Sequence, residues 1–93
     1  MQKAVSELQA EDDRMRITRW TFAPATETGW HRHAWPYAVV PVQGGMLTVV
    51  DSEGERDYEI RTGESYARAC GTEHNIVNNS NAPIVFVEIE IKR

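Results

Sequence analysis

The chain has 93 residues and a formal charge of −4, from 14 acidic and 10 basic side chains, with no basic run anywhere. This balance argues against nucleic acid and anionic membranes as partners, and the length implies one domain, residues 1–93, with a thin core. One cysteine, Cys70, excludes an internal disulfide; no apolar run could span a bilayer or act as a signal core behind Met1-Gln2-Lys3-Ala4, so the expected location is cytoplasmic.

Residues 1–13 are polar and end in Glu11-Asp12-Asp13. They read as a frayed helical turn or an edge strand, with the acidic triplet in solvent. Arg14 to Phe22 is rich in β-branched and aromatic residues and predicts a strand. Met15 and Ile17 share one phase and Trp20 and Phe22 the other, so both faces are covered or a bulge shifts the phase. Ala23-Pro24-Ala25 ends this strand, because proline cannot donate to a ladder. A loop then leads into Gly29-Trp30-His31-Arg32-His33.

Tyr37 to Gln43 is nearly continuous in apolar residues and predicts a strand buried on both faces. Gly44-Gly45 reads as a hairpin turn, with Met46 to Val50 pairing back. Asp51-Ser52-Glu53-Gly54 is a second turn, and Glu55 to Arg61 a half-exposed strand. After Thr62-Gly63 comes a short strand, Ser65 to Ala69, and then the turn Cys70-Gly71-Thr72 before His74. Asn78 to Pro83 is a loop, in which Asn78 holds a turn through its amide. The last strand alternates cleanly: Val85, Val87, Ile89 and Ile91 on one face, Phe86, Glu88, Glu90 and Lys92 on the other. Glu88 and Glu90 read as a solvated or dimer-facing edge. Many short strands without a 3.6 period predict an all-β sandwich or barrel.

His31 and His33 stand two residues apart, so on an extended backbone both imidazoles point to one side. Imidazole is the commonest transition-metal ligand, and His74 would complete a three-ligand site if the fold brought it there. Two motifs now match a family. His31, His33 and Gly44 fit G-x5-H-x-H-x3,4-E-x6-G, over about residues 25–44. Gly63, Gly71, His74 and Asn78 fit G-x5-P-x-G-x2-H-x3-N, over about residues 63–78. The chain thus resembles the small single-domain, RmlC-like cupins and is similar to short cupins assigned to β-alanine degradation. The resemblance implies a double-stranded β-helix, or jelly-roll barrel, and a metal held by His31, His33 and His74. Ala25 and Ala69 replace the motifs' first glycine and proline, and Tyr37 replaces the glutamate ligand.

Without that glutamate, three neutral imidazoles leave a divalent charge uncompensated, which favours an anionic small-molecule ligand. Open coordination positions mark a catalytic site. Fe, Mn, Ni, Cu and Zn all accept such donors. Tyr37 is a candidate hydrogen-bond donor or acid beside the metal, or else a core tyrosine. Trp30 and Trp35 are candidate pocket walls, or packing. Arg68 would suit a substrate carboxylate if it points inward, although arginine is usually exposed, and Arg19 is a weaker candidate of the same kind. Cys70 reads as a small buried residue. Two functions follow. One is a metal-dependent enzyme of dioxygenase or isomerase/lyase type acting on a small anionic metabolite. The other is a non-catalytic module that binds a metabolite or a metal. The family pattern also implies a homodimer through the N-terminal strand and one barrel sheet.

Overall fold

The computed structural model describes residues 1–92, in which eleven strands and no helix occur. In order they are β1 (Gln2–Lys3), β2 (Val5–Glu11), β3 (Met15–Phe22), β4 (Thr26–Glu27), β5 (His31–Arg32), β6 (Tyr37–Gln43), β7 (Gly45–Asp51), β8 (Gly54–Ile60), β9 (Tyr66–Arg68), β10 (Glu73–Asn78) and β11 (Ile84–Ile91). One sheet runs β1-β4-β10-β7-β8, with β5 beside β10; the other runs β2-β3-β11-β6-β9. The two sheets form a jelly-roll barrel, the fold class expected from the sequence. No helix among the described residues is long and apolar enough to cross a membrane.

The core lies between the sheets. Phe22 and Ile84 are fully buried, with Leu47, Val39, Ile60 and Phe86 around them. The Phe22 and Phe86 rings stack at 5.5 Å between centroids. The β3–β11 ladder is regular from Met15 to Phe22, so the two phases of β3 are two used faces, with no bulge between them. Residues 5–11 form an edge strand, and each of them is exposed.

Two local expectations are corrected. Gly44-Gly45 does not close a hairpin: β6 belongs to one sheet and β7 to the other, and the chain changes sheets at this point. A methyl group on Gly44 would collide with the Ile60 carbonyl and come within 2.8 Å of the Thr62 amide nitrogen. The strands approach too closely there for a side chain. Nor is β11 an edge. It lies between β3 and β6, and its Phe86-Glu88-Glu90 phase faces the barrel interior.

Ala25 has φ 63°, a left-handed conformation, at the position where the first motif has glycine. A Cβ in this region costs about 1–2 kcal/mol. Ala25→Gly is expected to stabilise the protein by about 0.5–1 kcal/mol, the remainder being lost to greater freedom of the unfolded chain. Urea unfolding checks this, and an unchanged or lower midpoint would contradict it.

Candidate metal centre

β5 and β10 pair antiparallel, with His31 directly opposite His74. Cross-strand partners share a face, and His33, two residues beyond His31, joins them. The turn before β10 holds His33 in place. Its amide donates to the Thr72 carbonyl at 2.8 Å, and the Gly71 amide donates to the His33 carbonyl at 2.7 Å. Gly71 has φ 87°, which suits glycine and lets the chain fold back there. His33 and His74 are buried.

The three Nε2 atoms converge. His31 and His33 are separated by 3.0 Å at these atoms, and His33 and His74 by 3.3 Å. With metal–nitrogen bonds of about 2.1 Å, such separations subtend roughly 90–105° at a common centre, close to an octahedral face or a tetrahedron. His31 Nδ1 lies 2.9 Å from the Gly29 carbonyl. A carbonyl only accepts, so Nδ1 carries the proton and the Nε2 lone pair faces the other rings. Asn75 secures this loop, accepting the Gly29 amide at 2.9 Å and donating to Glu27 at 2.8 Å. The donor set, the angles and the tautomer of His31 all fit a divalent transition metal.

Burial, and then the neighbouring His31, push His33 and His74 down to about 4. Both are therefore neutral at pH 7, the form that binds metal. In metal-free protein the unfolded histidines take up protons below about pH 6.5, while folded His33 and His74 hold them off until about 4. Their contribution to stability is complete above pH 6.5 and is lost as pH falls toward 4. Glu88 acts in the opposite sense. Burial, and then Glu90, push its carboxyl up to about 7, so its contribution is present below pH 4.5 and is lost as pH rises through 7. Two histidines outweigh one glutamate. Chelator-treated protein should therefore unfold at lower urea at pH 4.5 than at 6.5; a flat or reversed trend would contradict these assignments.

The triad opens into a cavity of about 260 Å³, which Tyr37, Glu88, Glu90 and Trp20 also line. Tyr37 lies flat on His33, with centroids 3.9 Å apart and planes 21° apart. Burial, and then Glu88, push its phenol up to about 12, so it stays protonated. It supplies no phenolate in place of the missing glutamate; its ring fixes the orientation of His33.

The other candidates lie off the cavity lining. Trp30 is 54% exposed, because a residue adjacent to His31 on an extended chain points the other way. Arg16 and Lys92, which share the Glu11 carboxylate, both approach the Trp35 ring, at 5.4 and 5.6 Å from its centroid. Arg68 is exposed, folded over the Tyr66 ring at 4.5 Å and bonded to the Tyr58 hydroxyl at 3.0 Å. Arg19 pairs opposite Val87 on the outer face. Cys70 is exposed rather than buried, because its turn projects from the barrel. Sequence reasoning placed Glu88 and Glu90 on a solvated or dimer-facing edge, whereas both line the cavity. Their phase is that of Phe86, but the opposite phase, Val85, Val87, Ile89 and Ile91, is the more apolar, so the local pattern gives no signal that this face points inward.

A family model described as a cupin domain matches residues 18–90. The chain is 43% identical over 90 residues to a Pseudomonas aeruginosa protein named beta-alanine degradation protein BauB, covering 97% of this chain and 95% of that one. A crystal structure of a cupin domain from Bordetella pertussis superposes with a TM-score of 0.96 at 43% identity, covering 99% and 96% of the two chains. The polyketide cyclase RemF from Streptomyces resistomycificus shares the fold, with a TM-score of 0.78 at 19% identity over 98% of this chain and 66% of that one.

Proposed function

The chain belongs to the cupin family, and from this we propose a cytoplasmic metal-dependent enzyme of small-acid catabolism. His31, His33 and His74 hold one divalent transition metal, and a small anionic metabolite binds beside them. The observation that carries this reading is the convergence of the three Nε2 atoms at the floor of a cavity. When bound, such a metal polarises a ligand oxygen and, if it is iron, gives access to dioxygen. The residues of the chain do the rest. The triad leaves open positions for a ligand, Tyr37 keeps His33 aligned, and the apolar walls limit water. The name of the Pseudomonas relative, which ties that protein to β-alanine degradation, supports a small-acid substrate.

The reaction is a dioxygenation or a redox-neutral isomerase or lyase step. The test is a panel of small carboxylic acids incubated with protein reconstituted with each metal in turn, followed by NMR and an oxygen electrode. Metal-dependent product with oxygen uptake assigns a dioxygenase, and product without uptake an isomerase or lyase. Ligand-induced stabilisation with no product under any metal would instead assign a binding module.

The functional unit is a homodimer. The outer face of the β2-β3-β11-β6-β9 sheet supports this assembly: Ile89 lies between Ile17 and Ala38, and Val87 between Arg19 and Val40. Val5 and Ile91 are 58% and 42% exposed near its margins. A largely apolar sheet face of this kind, with Arg19 among its residues, gains from burial against a second copy. Light scattering at micromolar concentration should give twice the 10.6 kDa chain mass, and Ile89→Glu should give the monomer. A monomeric wild type would rule the dimer out.

A further inference from the structure

Resting on the metal reading above, we infer that the ligand is a short zwitterion whose carboxylate goes to the imidazole end of the cavity and whose ammonium goes to Glu88 and Glu90. The carboxylates of Glu88 and Glu90 and a ring nitrogen of His33 all lie within 4.8 Å of one another. Glu88 stands 4.0 Å from His33 Nε2, with its side chain only 12% exposed. This cavity already holds the convergent imidazoles, so the acidic pair is the second pole of one site.

Among the described residues the pair has no cation of its own. Glu90 pairs in register with Arg16 on β3 and with Tyr37 on β6, and Tyr37 in turn pairs with Arg68 on β9. An arginine therefore flanks the pair on either side, and both are engaged elsewhere. Arg16 binds Glu11 at 3.0 Å, and Arg68 binds the Tyr58 hydroxyl. Arg32 reaches the cavity lining but is exposed. Among the described residues, no lysine or arginine lies within ion-pair distance of Glu88 or Glu90.

Adjacent, largely buried carboxyls repel each other when both are ionised, so a positive ligand placed between them is favoured there. A primary ammonium brings one charge and three donors, enough to serve both carboxylates. A dianion would meet like charge instead. The cavity has room for a molecule of a few carbons, since each water in the liquid occupies about 30 Å³.

The test is calorimetric titration of metal-loaded protein with β-alanine, propionate, propylamine and malonate, with metal content assayed on the same samples. β-Alanine should bind at least about tenfold more tightly than propionate or propylamine, a difference of about 1.4 kcal/mol. Glu88→Gln and Glu90→Gln should abolish that preference while keeping one equivalent of metal and near-native melting. Equal or tighter binding of propionate or malonate would overturn the inference. So would a second metal equivalent that is lost in both variants, since the pair would then hold a cation directly. Protein that takes up no metal would overturn the metal reading together with this one, and the metal assay distinguishes that case from the others.

Discussion

His74→Ala is expected to remove the bound metal. Untagged wild-type protein purified without chelator should carry close to one equivalent by plasma mass spectrometry, and His74→Ala and His31→Ala should carry almost none. His74 supplies one of three convergent Nε2 donors and sits on β10 directly across from His31. Its loss leaves two imidazoles, His31 and His33, still 3.0 Å apart, and two donors make a weak site. Loss of a residue that only orients a ligand typically costs 10–100-fold in metal affinity, and loss of a ligand should exceed about 100-fold. Tyr37→Phe is the control. Its ring still stacks on His33, and its hydroxyl is not a donor, so metal content should hold. A full equivalent of metal in His74→Ala would rule out the triad.

Asn78→Ala should be the most destabilising of the single polar substitutions, at about 3 kcal/mol or more, because several buried groups lose partners together. Asn78 is fully buried at the end of β10. Its Nδ2 donates to the carbonyls of Phe22 and Ala82, each at 2.9 Å. Its Oδ1 accepts from the Ser80 amide at 3.0 Å and the Ser80 hydroxyl at 2.6 Å. One side chain thus ties the end of β3 to the loop that enters β11. Asn78 lies four residues from His74, roughly 13 Å along an extended strand, so the folded fraction should still bind metal. Urea unfolding with an unchanged m-value measures the loss. A shift below about 1 kcal/mol would mean these bonds are replaced by water and that Asn78 does not hold the two sheets together.

Most strands could be read from the chain alone, because period-two alternation and turn residues are local properties. Tyr37–Gln43 falls at its expected limits, and the Asp51–Gly54 turn joins β7 to β8 as expected. The shared side of His31 and His33 was equally legible, since it follows from backbone geometry. The exposure of Trp30 could have been read the same way.

Other features depend on residues far away in the chain. The sheet change at Gly44 is set by the backbone of residues 60–62. The ring stacking of Tyr37 on His33, the approach of Arg16 and Lys92 to Trp35, and the turn of Arg68 toward Tyr58 all come from neighbours elsewhere in the chain. Alternation in the last strand shows that Glu88 and Glu90 share a face, but only closure of the barrel decides that this face points inward. The sequence by itself determined an all-β chain with a likeness to cupins and three candidate imidazole ligands. The tertiary structure decided that His74 meets the other two and that two carboxylates stand beside them, because a strand's pattern sorts its residues into two faces and only the partner sheet selects which face is the interior.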